Sequence, residues 1–161
     1  MSLGMVTQLP ETDDETSVSR RQLLAKLDVC MGGRVAEELI FGDSNVTTGA
    51  SSDLEQATRL ARAMVTKYGM SDAVGQVALA YEEGAAGGGL SSETRALVES
   101  EVKRLVGAAY ARAKAVLTSH ERELHALAAE LVEKETLSGA QIRELLVRVG
   151  KEGGRAAAPA S

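Results

Sequence analysis

Aromatic rings are scarce in this chain. Tryptophan is absent, and Phe41, Tyr68, Tyr81 and Tyr110 carry the only aromatic side chains among 161 residues. A core without rings must be assembled from Leu, Val, Ala and Met, which suits helix-on-helix packing better than a β-sandwich. Cysteine is scarcer still. Cys30 stands alone, so neither an internal disulfide nor a CxxC metal site can form within the chain. Its apolar neighbours make it read as a small buried hydrophobe. No apolar run approaches the roughly 20 residues that span a bilayer, and the first residues have neither the basic start nor the apolar length of a signal peptide. Positive charge is in deficit too. The formal net charge is −5, and Lys and Arg are scattered rather than clustered, which argues against nucleic acid as a partner.

What is present is helical periodicity. Residues 1–9, MSLGMVTQL, run into Pro10 and read as an extended or strand-like segment, followed by the acidic turn ETDDETS. Ser19 with Gln22 forms a capping box for a helix over about 18–40, whose apolar set is Leu23, Leu24, Leu27, Met31, Val35, Leu39 and Ile40. Gly32 and Gly33 interrupt it at a cost of about 1 kcal/mol each relative to alanine. Close approach of another backbone is the simplest compensation. Gly42 ends this helix, and Ser52 with Glu55 signals the next, striped by Leu54, Ala57, Leu60, Ala61, Met64, Val65 and Tyr68 and closed by Gly69. After a glycine-rich loop, a third helix is expected over about 92–118, with Leu97, Val98, Val102, Leu105, Val106, Ala109, Val116 and Leu117 inward. Thr118 with Glu121 then boxes a fourth helix, about 119–134, buried through Leu124, Leu127, Leu131 and Val132. Ser138 with Gln141 boxes a fifth, to about 149. Residues 150–161 lack an apolar period and are expected to be a disordered tail. The expected fold is an all-α bundle of about five helices with a short extended segment at its start.

Chemistry is harder to place. No GxxxxGK[ST] loop occurs, so these residues hold no P-loop for ATP. His120 and His125 are the only histidines. Their spacing of five turns them about 140° apart on a helix, whereas paired zinc ligands four apart lie about 40° from each other. Both read as structural or solvent-facing. Asp53 opens a helix, where a carboxylate is favoured by the macrodipole whether or not it does anything more. Glu37 and Glu38 sit near the end of the first helix, and solvated glutamates are the default.

The blocks LDVCMGGRVAEELIFG (27–42) and TTGASSDLEQATRLARAMVTKYGMS (47–71) change the weight of these observations. With LGMVTQLPE (3–11), SSETRALVESEVKRLV (91–106) and HALAAELVEKETLSGAQI (125–142), they resemble the protease domain of the FtsH family of membrane-anchored, ATP-dependent zinc metalloproteases. The wording is closest to organellar members, above all the mitochondrial inner-membrane type of plants and algae; a chloroplast thylakoid location is the alternative. The resemblance implies that Asp53 is the third zinc ligand and that Glu38 or Glu37 lies near the metal. It further implies that Met5, Val6 and Thr7 belong to a strand beside the active site, where substrate backbone could pair. The family's other two ligands and general base come from a His-Glu-x-x-His helix, a motif these 161 residues do not contain. In the implied mechanism zinc polarises the scissile carbonyl and acidifies a water that the glutamate deprotonates. Such a site needs three protein ligands and one open position. Residues 1–149 are therefore expected to form part of a metallopeptidase domain, inert on its own and read from a truncated gene, with ATP engaged only through an AAA+ module absent here. The resemblance implies FtsH-like subunits in a hexamer as partners and unfolded or membrane proteins as substrates. The alternative is a non-catalytic helical module that docks onto such subunits.

Overall fold

The structure, a computed structural model, describes residues 17–80 and 89–156, with side chains described as far as residue 152. The expected extended segment with Met5, Val6 and Thr7 lies outside the described residues, as do 157–161 of the expected tail. Helix α1 spans Arg20–Phe41. It opens at the anticipated box: the Ser19 hydroxyl accepts from the Gln22 N–H at 3.2 Å, and the Gln22 side chain accepts from the Ser19 N–H at 2.8 Å. Leu23, Leu27, Met31 and Val35 are its buried residues, one per turn. Gly42 (φ 83°) ends it by donating to the Glu38 carbonyl at 2.8 Å.

Helix α2, Ser51–Thr66, begins differently from expectation. Ser52 and Glu55 do not box its start. A 3-10 turn, Thr48–Ala50, runs directly into it, and Thr47 caps that turn by accepting from the Gly49 N–H at 3.2 Å. The turn already uses an early N–H, since Ser51 donates to the Thr48 carbonyl. Ala57, Ala61, Met64 and Val65 are buried as predicted, whereas Tyr68 lies past the helix end and is 55% exposed. Gly69 (φ 60°) reverses the chain so that the Met70 N–H reaches the Met64 carbonyl at 2.9 Å. A β-carbon there would meet the Gln76 backbone at 3.2 Å.

Helix α3, Ser92–Ser119, is capped by Ser91, and its Val98, Val102, Leu105, Ala109 and Ala113 join α1 and α2 in one apolar cluster. Leu97 and Val116 are exposed instead of inward. Leu97 is about 100° round the helix from Val98, and Val116 lies beyond Ala113, the last buried residue of α3. Glu101 was not expected inside but is buried. Ser71 donates to its Oε2 at 2.7 Å and Arg104 to the same carboxylate at 2.9 Å, so its charge is compensated. The pair Arg112–Asp28, 2.9 Å apart, also ties α3 to α1.

The box predicted from Thr118 and Glu121 does not form. Helix α3 continues through Ser119, whose hydroxyl bonds back to the Ala115 carbonyl at 2.7 Å, and His120 alone separates it from α4, Glu121–Lys134. Helix α4 buries no residue completely: Leu131 and Val132 are exposed, Val132 by 80%. Its main neighbour is α5, Gly139–Ala156, and among the described helices α1 and α3 touch it more lightly. The Ser138–Gln141 box opens α5 as expected, and Leu145 is its buried anchor. Helix α5 passes the expected end at 149 and runs to Ala156. No proline interrupts it, since Pro159 is the next in the chain. Five α-helices and no strand occur among the described residues, an all-α bundle. No helix among them is long and apolar enough to cross a membrane.

Candidate functional site

Asp53 lies in the first turn of α2 and is half-buried. Its carboxylate rests over α1 where Gly33 leaves a gap: a β-carbon on Gly33 would lie 2.8 Å from Oδ2. The anticipated compensation for the two glycines is thus a side chain rather than a backbone, and for one of them only. Gly32 faces open space, with nothing within 4 Å of an added β-carbon. Cys30 is one turn before Gly33 and only half-buried. Burial, and then the negative charge of Asp53, push its thiol above the ordinary range.

The loop that delivers Asp53 is anchored on the same helix. Glu37 Oε1 accepts from the Thr47 N–H at 2.9 Å and from the Thr47 hydroxyl at 2.6 Å. Thr47 in turn caps the 3-10 turn leading into α2. Glu37 is about 40° round α1 from Gly33 and so shares its side, while Glu38 is about 140° away. Glu38 accepts a short hydrogen bond from the Tyr110 hydroxyl on α3 and pairs with Arg34 at 3.3 Å. Of the two glutamates singled out from sequence, Glu37 adjoins the Asp53 loop and Glu38 bridges helices. Bonding to the Glu38 carboxylate, helped by burial, raises the Tyr110 phenol above its usual range. Thr47 was not picked out from sequence; a threonine two residues before a loop glycine is the local signal of such a cap. Both histidines are exposed, His120 with Glu123 at 3.7 Å.

As a metal ligand Asp53 offers a hard oxygen donor of a kind zinc accepts, at a helix start open to solvent on one side. Among the described residues, however, no three of His, Cys, Asp or Glu stand together in a way that could hold a metal ion. The carboxylate fits as one member of a donor set and does not complete it.

A sequence profile described as peptidase family M41 matches residues 1–145. The chain belongs to that family. Among its relatives, the ATP-dependent zinc metalloprotease FTSH 11, chloroplastic/mitochondrial, of Arabidopsis thaliana is 54% identical over 146 residues, 91% of this chain and 17% of that protein. The rice protein FTSH 9, chloroplastic/mitochondrial, is 53% identical over 145 residues, 90% of this chain and 18% of its own length. The YME1 homolog of Schizosaccharomyces pombe is 48% identical over 145 residues, covering 90% and 20%. The chain thus spans about a fifth of the length of these relatives.

Two hydrogen-bonded carboxylates, Glu37 beside the site and Glu101 on α3, set an acid limit. The Thr47 hydroxyl, then its backbone N–H, hold Glu37 below the ordinary carboxylate value. Arg104, then Ser71, do the same for Glu101. A depressed folded-state pKa contributes stability that is fully present above the unfolded value, near 4.5, and is lost as pH falls through the folded value. Urea midpoints should therefore hold between pH 7 and 5 and drop below about pH 4.5. Thr47→Val should flatten part of that drop, and an identical acid slope in the variant would remove Glu37 from the account.

Proposed function

We propose that these residues are part of the catalytic domain of an ATP-dependent zinc metalloendopeptidase, with Asp53 as one zinc ligand. The observation that carries this reading is the half-buried Asp53 carboxylate, seated over Gly33 and delivered by a loop tied to Glu37. Membership of M41, with relatives named as ATP-dependent zinc metalloproteases, supports it. The remaining ligands and the general base belong to residues outside this sequence. Bound zinc would supply Lewis acidity and an acidified water. This chain's own contribution is to fix the Asp53 oxygen. The segment around Met5, Val6 and Thr7 is proposed to pair with substrate backbone. The substrates in this reading are unfolded or membrane proteins handled in quality control. Names of the plant relatives favour a mitochondrial or chloroplast setting.

The complete protease should hold about one zinc per catalytic site and cleave casein only with ATP, chelator stopping both. The isolated 161-residue chain should carry far less than one zinc and leave casein intact. Stoichiometric zinc with cleavage by the short chain would overturn its proposed inertness, and a complete protein without zinc would overturn the peptidase reading.

One observation favours the second reading, a helical module that associates with FtsH-like subunits. Leu131 and Val132 on α4 and Leu146 and Val147 on α5 are all exposed, apolar surface that a partner could cover. Sedimentation of the isolated chain tests it: a monomer at every concentration would leave that module without support.

A further inference from the structure

We propose that Gly33 is a positioning residue: its missing side chain is the seat that fixes the Asp53 carboxylate in place for metal binding. The inference rests on Asp53 being a zinc ligand and adds what determines its orientation. Gly33 lies within α1, where glycine is a poor helix former, so local preference does not explain it. Nor does main-chain conformation, because Gly33 is not among the positive-φ glycines. Space does. A β-carbon built at Gly33 meets Asp53 Oδ2 at 2.8 Å and Cγ at 3.8 Å, and beyond the adjoining backbone of α1 and the two neighbouring residues no other atom approaches within 4 Å. The far end of a side chain can swing away, so a methyl group there would leave the fold intact and move the carboxylate. Restoring an ordinary contact takes roughly half an ångström, more than the ~0.2 Å by which metal–ligand distances vary in well-formed sites.

The adjacent glycine is a built-in control. Gly32 has the same helical setting and meets nothing within 4 Å. Gly32→Ala should raise the melting temperature of the zinc-free complete protease and leave zinc affinity unchanged. Gly33→Ala should melt no lower than wild type when zinc-free, yet bind zinc about 10- to 100-fold more weakly, the range typical for loss of a group that orients a ligand. Zinc affinity is read by competition with a chromogenic chelator, independently of proteolysis.

Equal zinc affinity in Gly33→Ala and wild type would overturn the proposal. So would an equal loss in Gly32→Ala, because a general effect on α1 would then explain both variants. Melting of zinc-free Gly33→Ala several degrees below wild type would also overturn it, since the added methyl would be straining the helix pair. Asp53→Ala in the same competition separates the two levels of inference. Retained affinity there removes Asp53 as a ligand, whereas lost affinity there with none lost in Gly33→Ala removes only the seat.

Discussion

Asp53→Asn in the complete protease is expected to lower casein cleavage by more than the ~100-fold that loss of an outer-shell partner costs, while the zinc-free protein melts within a few degrees of wild type. Two roles for this carboxylate compete, and their magnitudes differ enough to separate them. As a helix-start aspartate beside the macrodipole it contributes about 0.3–1 kcal/mol, roughly 1–4 °C for a domain of this size. As one of three ligands its loss empties the metal site. The melting comparison must be made without zinc, because bound metal stabilises the folded state by mass action and its release would imitate a structural defect. Cleavage reduced only in proportion to the melting shift would leave Asp53 as a cap and nothing more.

Much of the fold is legible in the sequence because it is written locally. Leu23, Leu27, Met31 and Val35 recur every fourth residue, and the boxes at Ser19–Gln22 and Ser138–Gln141 form as their side chains dictate. The departures occur where a distant partner decides. Thr118 and Glu121 carry the box pattern, yet α3 runs on to Ser119 because nothing local stops it. Leu131 and Val132 have helical spacing, but burial requires a covering layer, and among the described helices α4 packs mainly on α5. Glu101 enters the interior because Ser71, thirty residues earlier, supplies a hydroxyl. At the candidate site the sequence marks Gly32 and Gly33 as equally anomalous. Only the folded arrangement separates them, because the occupant of the gap is a side chain twenty residues further on. The pair Glu37 and Glu38 behaves similarly: adjacent in sequence, they face a loop and a neighbouring helix respectively.

Leu27→Ala should be the most damaging single truncation to stability, costing about 2–5 kcal/mol and lowering the melting temperature by roughly 5–15 °C. Leu27 is fully buried, and its neighbours one turn away on α1, Leu23 and Met31, are buried too. The cavity therefore opens among the side chains of the α1–α2–α3 cluster. With so few aromatic rings in the chain, and with Ala57 and Ala61 already small on α2, the space can be refilled only in part by the flexible methionines Met31 and Met64. Val132→Ala is the matched contrast, since a side chain 80% exposed should change stability by no more than about 0.5 kcal/mol. The damage at Leu27 should also reach the site. Gly33 and Asp53 belong to α1 and α2, and their 2.8 Å relationship depends on those two helices keeping their spacing. Zinc affinity in the complete protease should consequently fall in Leu27→Ala and hold in Val132→Ala. Equal melting temperatures for the two variants would mean that the three-helix cluster is not what holds this fold together.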